Sequence, residues 1–157
     1  MACIILKTTI NAPIERCFDL ARSIDLHKES TAHTNEQAIA GKTSGLISGG
    51  EYVTWRAKHF GIYQHLTTGI TSFNPYTSFT DEMTEGPFKY IRHLHLFEND
   101  GNATVMTDEF NFGAPFGFLG KFIDKYILIP HLEKLLIKRN QTIKLYAETD
   151  LWKNVIT

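Results

Sequence analysis

Cysteine, proline and any surplus of charge are scarce in this chain of 157 residues. The two cysteines, Cys3 and Cys17, are too few for a disulfide scaffold and suit a reducing compartment. Sixteen basic residues against seventeen acidic ones leave a net charge of -1, which gives nucleic acid no electrostatic reason to bind. No apolar run approaches the ~18 residues needed to cross a bilayer. The opening Met-Ala-Cys-Ile-Ile-Leu-Lys has no basic segment before its apolar one, as a signal peptide would. The expectation is a cytoplasmic protein with no transmembrane segment and no nucleic-acid partner. Hydrophobic residues at 43% and charged residues at 21% exclude a disordered or collagen-like chain. Phosphate-cradling loops are missing too, because the glycines between 41 and 50 lack the Lys-Ser/Thr ending. Repeats and domain-scale linkers are absent, so residues 1–157 read as one domain, with a core over about 2–147 and a short tail.

What is present has a definite order. Residues 3–10 are rich in Ile and Thr and predict a strand. Asn11-Ala12-Pro13 then opens a helix, because proline at a helix start gives up no bond. Ile14, Cys17, Phe18 and Ala21 continue it at helical spacing, and Ser23 can cap a second short helix. Ala38-Ile39-Ala40 predicts a short strand with a glycine-shaped connection after it. From Glu51 to Phe112 the pattern is a meander of five strands, broken at Gly61, Asn74-Pro75, Glu85-Gly86-Pro87 and Asp100-Gly101. The period then changes: Phe118, Phe122 and Tyr126, then Leu132, Leu135, Leu136, Arg139 and Ile143, predict one helix from about Phe116 to about Ala147, bent at Pro130.

One architecture buries all these apolar faces: an α+β fold in which a curved antiparallel sheet of about seven strands wraps the last helix. This order of elements resembles the helix-grip fold of the START-like (SRPBCC) superfamily, which includes the major birch pollen allergen. The entry Thr9-Ile-Asn-Ala-Pro-Ile-Glu-Arg-Cys-Phe-Asp19 is similar to the strand-to-helix opening of that superfamily. Val53-Thr-Trp-Arg-Ala-Lys-His-Phe-Gly61, Asp81-Glu-Met83, His93-Leu-His95, Met106-Thr-Asp-Glu-Phe110 and Pro115-Phe-Gly-Phe-Leu-Gly120 resemble a bacterial branch of it. The resemblance covers about residues 2–147. It implies a cavity between sheet and helix that holds a lipid, polyketide or other apolar metabolite. It also admits a cyclase or dehydratase as an alternative, and it implies no catalytic motif that can be carried over.

The hairpin at Asp100-Gly101 permits a register argument. With those two residues as the loop, His95 opposes Met106, His93 opposes Asp108 and Ile91 opposes Phe110, all on one face. That face is the more apolar, so it points at the helix and carries His93, His95 and Asp108 inward. Arg92 then opposes Glu109 on the outer face. An inward His-Asp pair suits a polar ligand head or a general base, and equally a polar network bracing the sheet. Trp55, His59 and Leu66 share the inner face of the preceding hairpin. Phe79 and Met83 argue that Asp81 points inward, whereas the simplest register of the next hairpin turns Glu82 inward; the choice stays open. Phe118, Phe122 and Tyr126 make the helix entry aromatic, as a cavity gate or as core. The candidate catalytic residues are His93, Asp108 and Glu82. His93-x-His95 with Asp108 and His59 could complete a zinc site, but no further Cys or His spacing supports one, so neither metal nor cofactor is expected.

Overall fold

The computed structural model describes residues 2–114 and 124–156. Strand β1 (Ala2–Ile10) leads into helices α1 (Ile14–Ala21) and α2 (Ile24–Ser30). Six strands follow: β2 (Gln37–Gly41), β3 (Tyr52–His59), β4 (Ile62–Asn74), β5 (Ser78–Glu85), β6 (Tyr90–Asp100) and β7 (Ala103–Gly113). The long helix α3 (Ile129–Glu148) and the short α4 (Lys153–Ile156) complete the chain. All seven strands form one antiparallel sheet, in the order β1-β7-β6-β5-β4-β3-β2. Bulges at Ala38/Ala40, Thr67/Thr68 and Ile70/Ser72 bend the β2–β5 side of the sheet. Among the described residues no helix is long and apolar enough to cross a membrane.

Local chemistry accounts for the boundaries. Pro13 holds extended backbone as the cap of α1, and the Ser23 hydroxyl accepts the Leu26 amide at 3.1 Å to start α2. Gly41 has φ 74°, and a Cβ there would sit 2.2 Å from the Tyr52 carbonyl oxygen, so no other residue fits.

The β6–β7 turn corrects the expected register. Asp100 pairs with Ala103, so the loop residues are Gly101 and Asn102. Gly101 has φ 64° and stands at the first central position, where a II′-type turn needs glycine. Every pairing slides accordingly: His95 opposes Asp108, His93 opposes Phe110 and Arg92 opposes Asn111. Moving the loop by one residue displaces each partner by two, so the inward and outward faces survive the change.

The C-terminal segment also differs from expectation. A π-type turn occupies Asp124–Leu128, and α-helix begins only at Ile129 with Pro130 in its first turn. Proline has no amide to donate, which explains why the hydrogen-bonding pattern changes there. The first part of the expected helix, including Phe116, Phe118 and Phe122, lies outside the described residues. The tail is packed: Trp152, Val155 and Ile156 rest on the core, and the Arg16 guanidinium lies 4.3 Å from the Trp152 ring centroid.

Apolar packing forms two clusters. One joins α1, α2 and the C-terminal half of α3 to the sheet through Phe18, Leu26, Phe97, Met106 and Ile143. The other joins Ile4, Ile91, Phe110 and Phe112 to Leu128 and Leu136. Phe18 anchors the first, with its ring edge-on to Phe73, Tyr76, Phe79 and Phe97 at 5.2–5.6 Å between centroids. Phe18→Ala is expected to cost about 3–5 kcal/mol, read from urea unfolding; a loss under about 1 kcal/mol would contradict this placement of the core.

Candidate functional site

A cavity of about 530 Å³ opens between the sheet and α3, bordered by residues of both apolar clusters. Val53, Trp55, Ile70 and Phe79 line it from the sheet, and Leu132 and Leu135 from the helix. Alternation along the strands aims these side chains at the helix, as the buried, period-two pattern of β3 and β6 records.

At one end the wall turns polar. Asp108 is fully buried. Its Oδ1 accepts from His93 Nε2 at 2.7 Å and from Arg139 Nη1 at 3.4 Å, and its Oδ2 accepts from Asn140 Nδ2 at 2.7 Å. His95 lies beside it, with Nδ1 3.4 Å from Asp108 Oδ1 and Nε2 2.7 Å from Asp81 Oδ2. The two imidazoles are tilted 31° to each other, their centroids 3.7 Å apart. Burial alone would push the Asp108 carboxyl up. Hydrogen bonds from His93 and His95 and the charge of Arg139 more than reverse that, and hold it well below the usual carboxylate range. Burial likewise raises Asp81, and its bond with His95 turns the net shift downward. His93 is pushed down to about 4, first by burial and then by the neighbouring His95. With Asp108 ionised, His93 is neutral and donates its Nε2 proton, which fixes the tautomer.

Two further histidine contacts border the cavity. His59 Nδ1 and His131 Nε2 lie 3.0 Å apart, joining the end of β3 to α3, and burial lowers both. Phe60, at φ 52° in the β3–β4 turn, sets its ring 4.6 Å from His131. A left-handed backbone is unusual for an aromatic residue, and here the following Gly61 at φ 78° completes a two-residue turn. On the α2 side, His27 bonds Glu36 and rests on the Trp55 ring at 4.3 Å.

Most of the residues singled out from sequence meet here. Trp55, His59, Leu66 and Phe79 line the cavity, as do Asp81, Ile91, His93, His95 and Phe110. Asp108 stands behind His93 as its partner. Pairing of Asp81 with His93 settles the open choice on β5: Asp81 faces inward, and Glu82 faces outward, 3.8 Å from Arg92. Glu82 is therefore removed from the candidate acids, and the expected Arg92–Glu109 pair is replaced by Arg92–Glu82. Met83 packs in the second cluster and Met106 is fully buried in the first, both away from the cavity lining. Tyr126 is largely exposed, and Phe118 and Phe122 lie outside the described residues.

Sequence reading missed the roles of Arg139, Asn140 and His131. The signal for Arg139 was a charged residue within the apolar stripe of Leu135, Leu136 and Ile143, where a cation needs a buried partner. Asp81, His93 and His95 offer donor atoms within 4.8 Å of one another, a spacing that suits a divalent ion.

Solved structures share this architecture. A Thermus thermophilus protein matches over 94% of this chain and 100% of its own, at 17% identity and TM-score 0.72. The chain has the helix-grip fold of START-like proteins. The ginseng (Panax ginseng) major latex-like protein 151 has this grip at 15% identity and TM-score 0.68, over 94% of this chain and 98% of its own. The Zhui aromatase/cyclase of Streptomyces sp. R1128 has it at 13% identity and TM-score 0.70, over 94% and 93%. No protein-family model and no curated protein sequence matches the chain.

The buried network has a pH signature. Between about 4 and 6.5 the unfolded chain protonates His93 and the folded one does not, so the unfolded state binds more protons. Stability should therefore fall as pH is lowered through that window, with Asp81, His95, Asp108 and Arg139 facing the ring. The expected NMR titration leaves His93 neutral down to about pH 4, and an apparent value near 6.5 would contradict the geometry.

Proposed function

We propose that this protein binds a small apolar or amphipathic molecule, of the lipid, polyketide or similar metabolite class, in the cavity between sheet and helix. The observation that carries this reading is the cavity itself: about 530 Å³, with largely apolar walls and a few polar clusters set among them. Ligand pockets typically run from about 300 to 1,000 Å³ with a few placed polar groups among apolar ones. Apolar lining supplies affinity through area removed from water, and the polar end supplies orientation.

A second reading is an enzyme of the cyclase or dehydratase kind. It is favoured by one observation, the Asp108–His93 pair, in which a buried carboxylate orients a neutral imidazole as in a general base. The aromatase/cyclase named above shares the grip at 13% identity, which speaks for fold alone. Replacing His93→Ala together with Asp108→Asn separates the two: lost turnover with retained affinity marks the enzyme, lost affinity alone the binder.

Binding is tested by filling the space. Ala57 lines the cavity and is buried, whereas Ile5 is 61% exposed on the outer face of β1. Ala57→Phe should weaken the binding of pyrene by at least about tenfold, measured by energy transfer from tryptophan, and Ile5→Thr should leave it unchanged. Equal affinity in Ala57→Phe and the parent protein would contradict the cavity as the binding site.

A further inference from the structure

We propose that the cavity selects a molecule whose head is a hydrogen-bond donor, with a neutral hydroxyl on an apolar body as the simplest case, and rejects a carboxylate; this rests on the cavity being a ligand site. A guanidinium at the end of an apolar pocket ordinarily points to an anionic ligand. Here four of the five N–H groups of the guanidinium are already spent. Arg139 Nη1 donates to Asp108 and, at 2.9 Å, to Asn140 Oδ1. Its Nη2 contacts the Ala21 carbonyl at 3.2 Å and His95 Nδ1 at 3.3 Å.

The neighbouring groups are committed as well. Asn140 Nδ2 gives its protons to Asp108 Oδ2 and to the Thr8 hydroxyl at 3.3 Å. His95 holds Asp81 through Nε2. Its Nδ1 accepts from Arg139 when the ring is neutral and donates to Asp108 when it is charged. Either way both nitrogens are occupied.

Two acceptor atoms at this end have no partner among the described residues. One is His93 Nδ1. The ring is more than nine-tenths buried and lines the cavity, and because Nε2 carries the proton to Asp108, Nδ1 is a lone pair. The other is the second carboxylate oxygen of Asp81, whose side chain is 21% exposed and lines the same cavity. Both are acceptors, and leaving a buried acceptor unmatched is costly. A carboxylate has no proton to give to either acceptor and would set its charge against the Asp81 carboxylate. A hydroxyl placed between Asp81 and His93 supplies the missing donor without adding charge.

Three probes of one shape test this in the full-length chain: pyrene, 1-hydroxypyrene and 1-pyrenecarboxylate. The expected order is 1-hydroxypyrene roughly tenfold tighter than pyrene, with the carboxylate weaker than both. Asp81→Asn should shrink the hydroxyl advantage and relieve the carboxylate penalty while moving pyrene affinity less than about twofold. His93→Phe should abolish the advantage; should that variant fail to fold, Asp81→Asn carries the test. Equal binding of hydroxyl and parent hydrocarbon, or tighter binding of the carboxylate, overturns the head-group assignment and leaves the binding reading standing. Failure of all three probes to bind overturns both. Zinc alone occupying one site that Asp81→Asn removes would also overturn it, by placing a metal ion where the hydroxyl belongs.

Discussion

A carboxylate with no access to water organises this molecule. Asp108 sits on β7 and takes hydrogen bonds from His93 on β6 and from Arg139 and Asn140 on α3. Arg139 reaches on to the carbonyl of Ala21 at the end of α1. One buried charge thereby joins two strands and two helices. Removing a single partner would strand the others in a low-dielectric interior, so the elements move together or not at all. Such a network is weak support for stability in itself, since apolar residues could fill the same volume. What it does provide is a fixed position for the long helix across the sheet.

That position has a functional consequence. The helix is held at Arg139 and Asn140 by polar bonds, at Ile143 and Ala147 by one apolar cluster, and at Leu136 by the other, with Leu128 of the preceding turn beside it. The clusters do not merge, and the cavity borders both. A fully packed interior would have closed this space, because core side chains interdigitate at crystal-like density. Such a cavity is compatible with folding because the rigid network and the aromatic packing around Phe18 carry the order that the cavity does not.

Much of this arrangement was legible in the sequence, for reasons that can be located. Element order follows from periodicity and from Pro13, Ser23 and Gly101. The inward face of β6 and β7 follows from parity, which a slip of one loop residue cannot alter. The slip itself was not legible, since Asp100-Gly101 and Gly101-Asn102 are both plausible loops until the backbone of Gly101 is seen. Asp81 and Glu82 could not be separated because the answer lies in the length of the β5–β6 connection, which pairs Asp81 with His93. The Arg139 network and the His59–His131 contact join residues far apart in the chain, 31 positions for Arg139–Asp108 and 72 for the histidines. Local spacing holds no information at that range. Only the oddity of a charge in an apolar stripe marked Arg139.

The position of a bound molecule can be observed directly. Intermolecular NOEs from bound pyrene should reach Trp55, Leu66 and Ile70 on the sheet and Leu132 and Leu135 on the helix together, since only a molecule between the layers touches both. Contacts confined to outward-facing residues such as Ile5 and Tyr63 would place the molecule on the surface and contradict it.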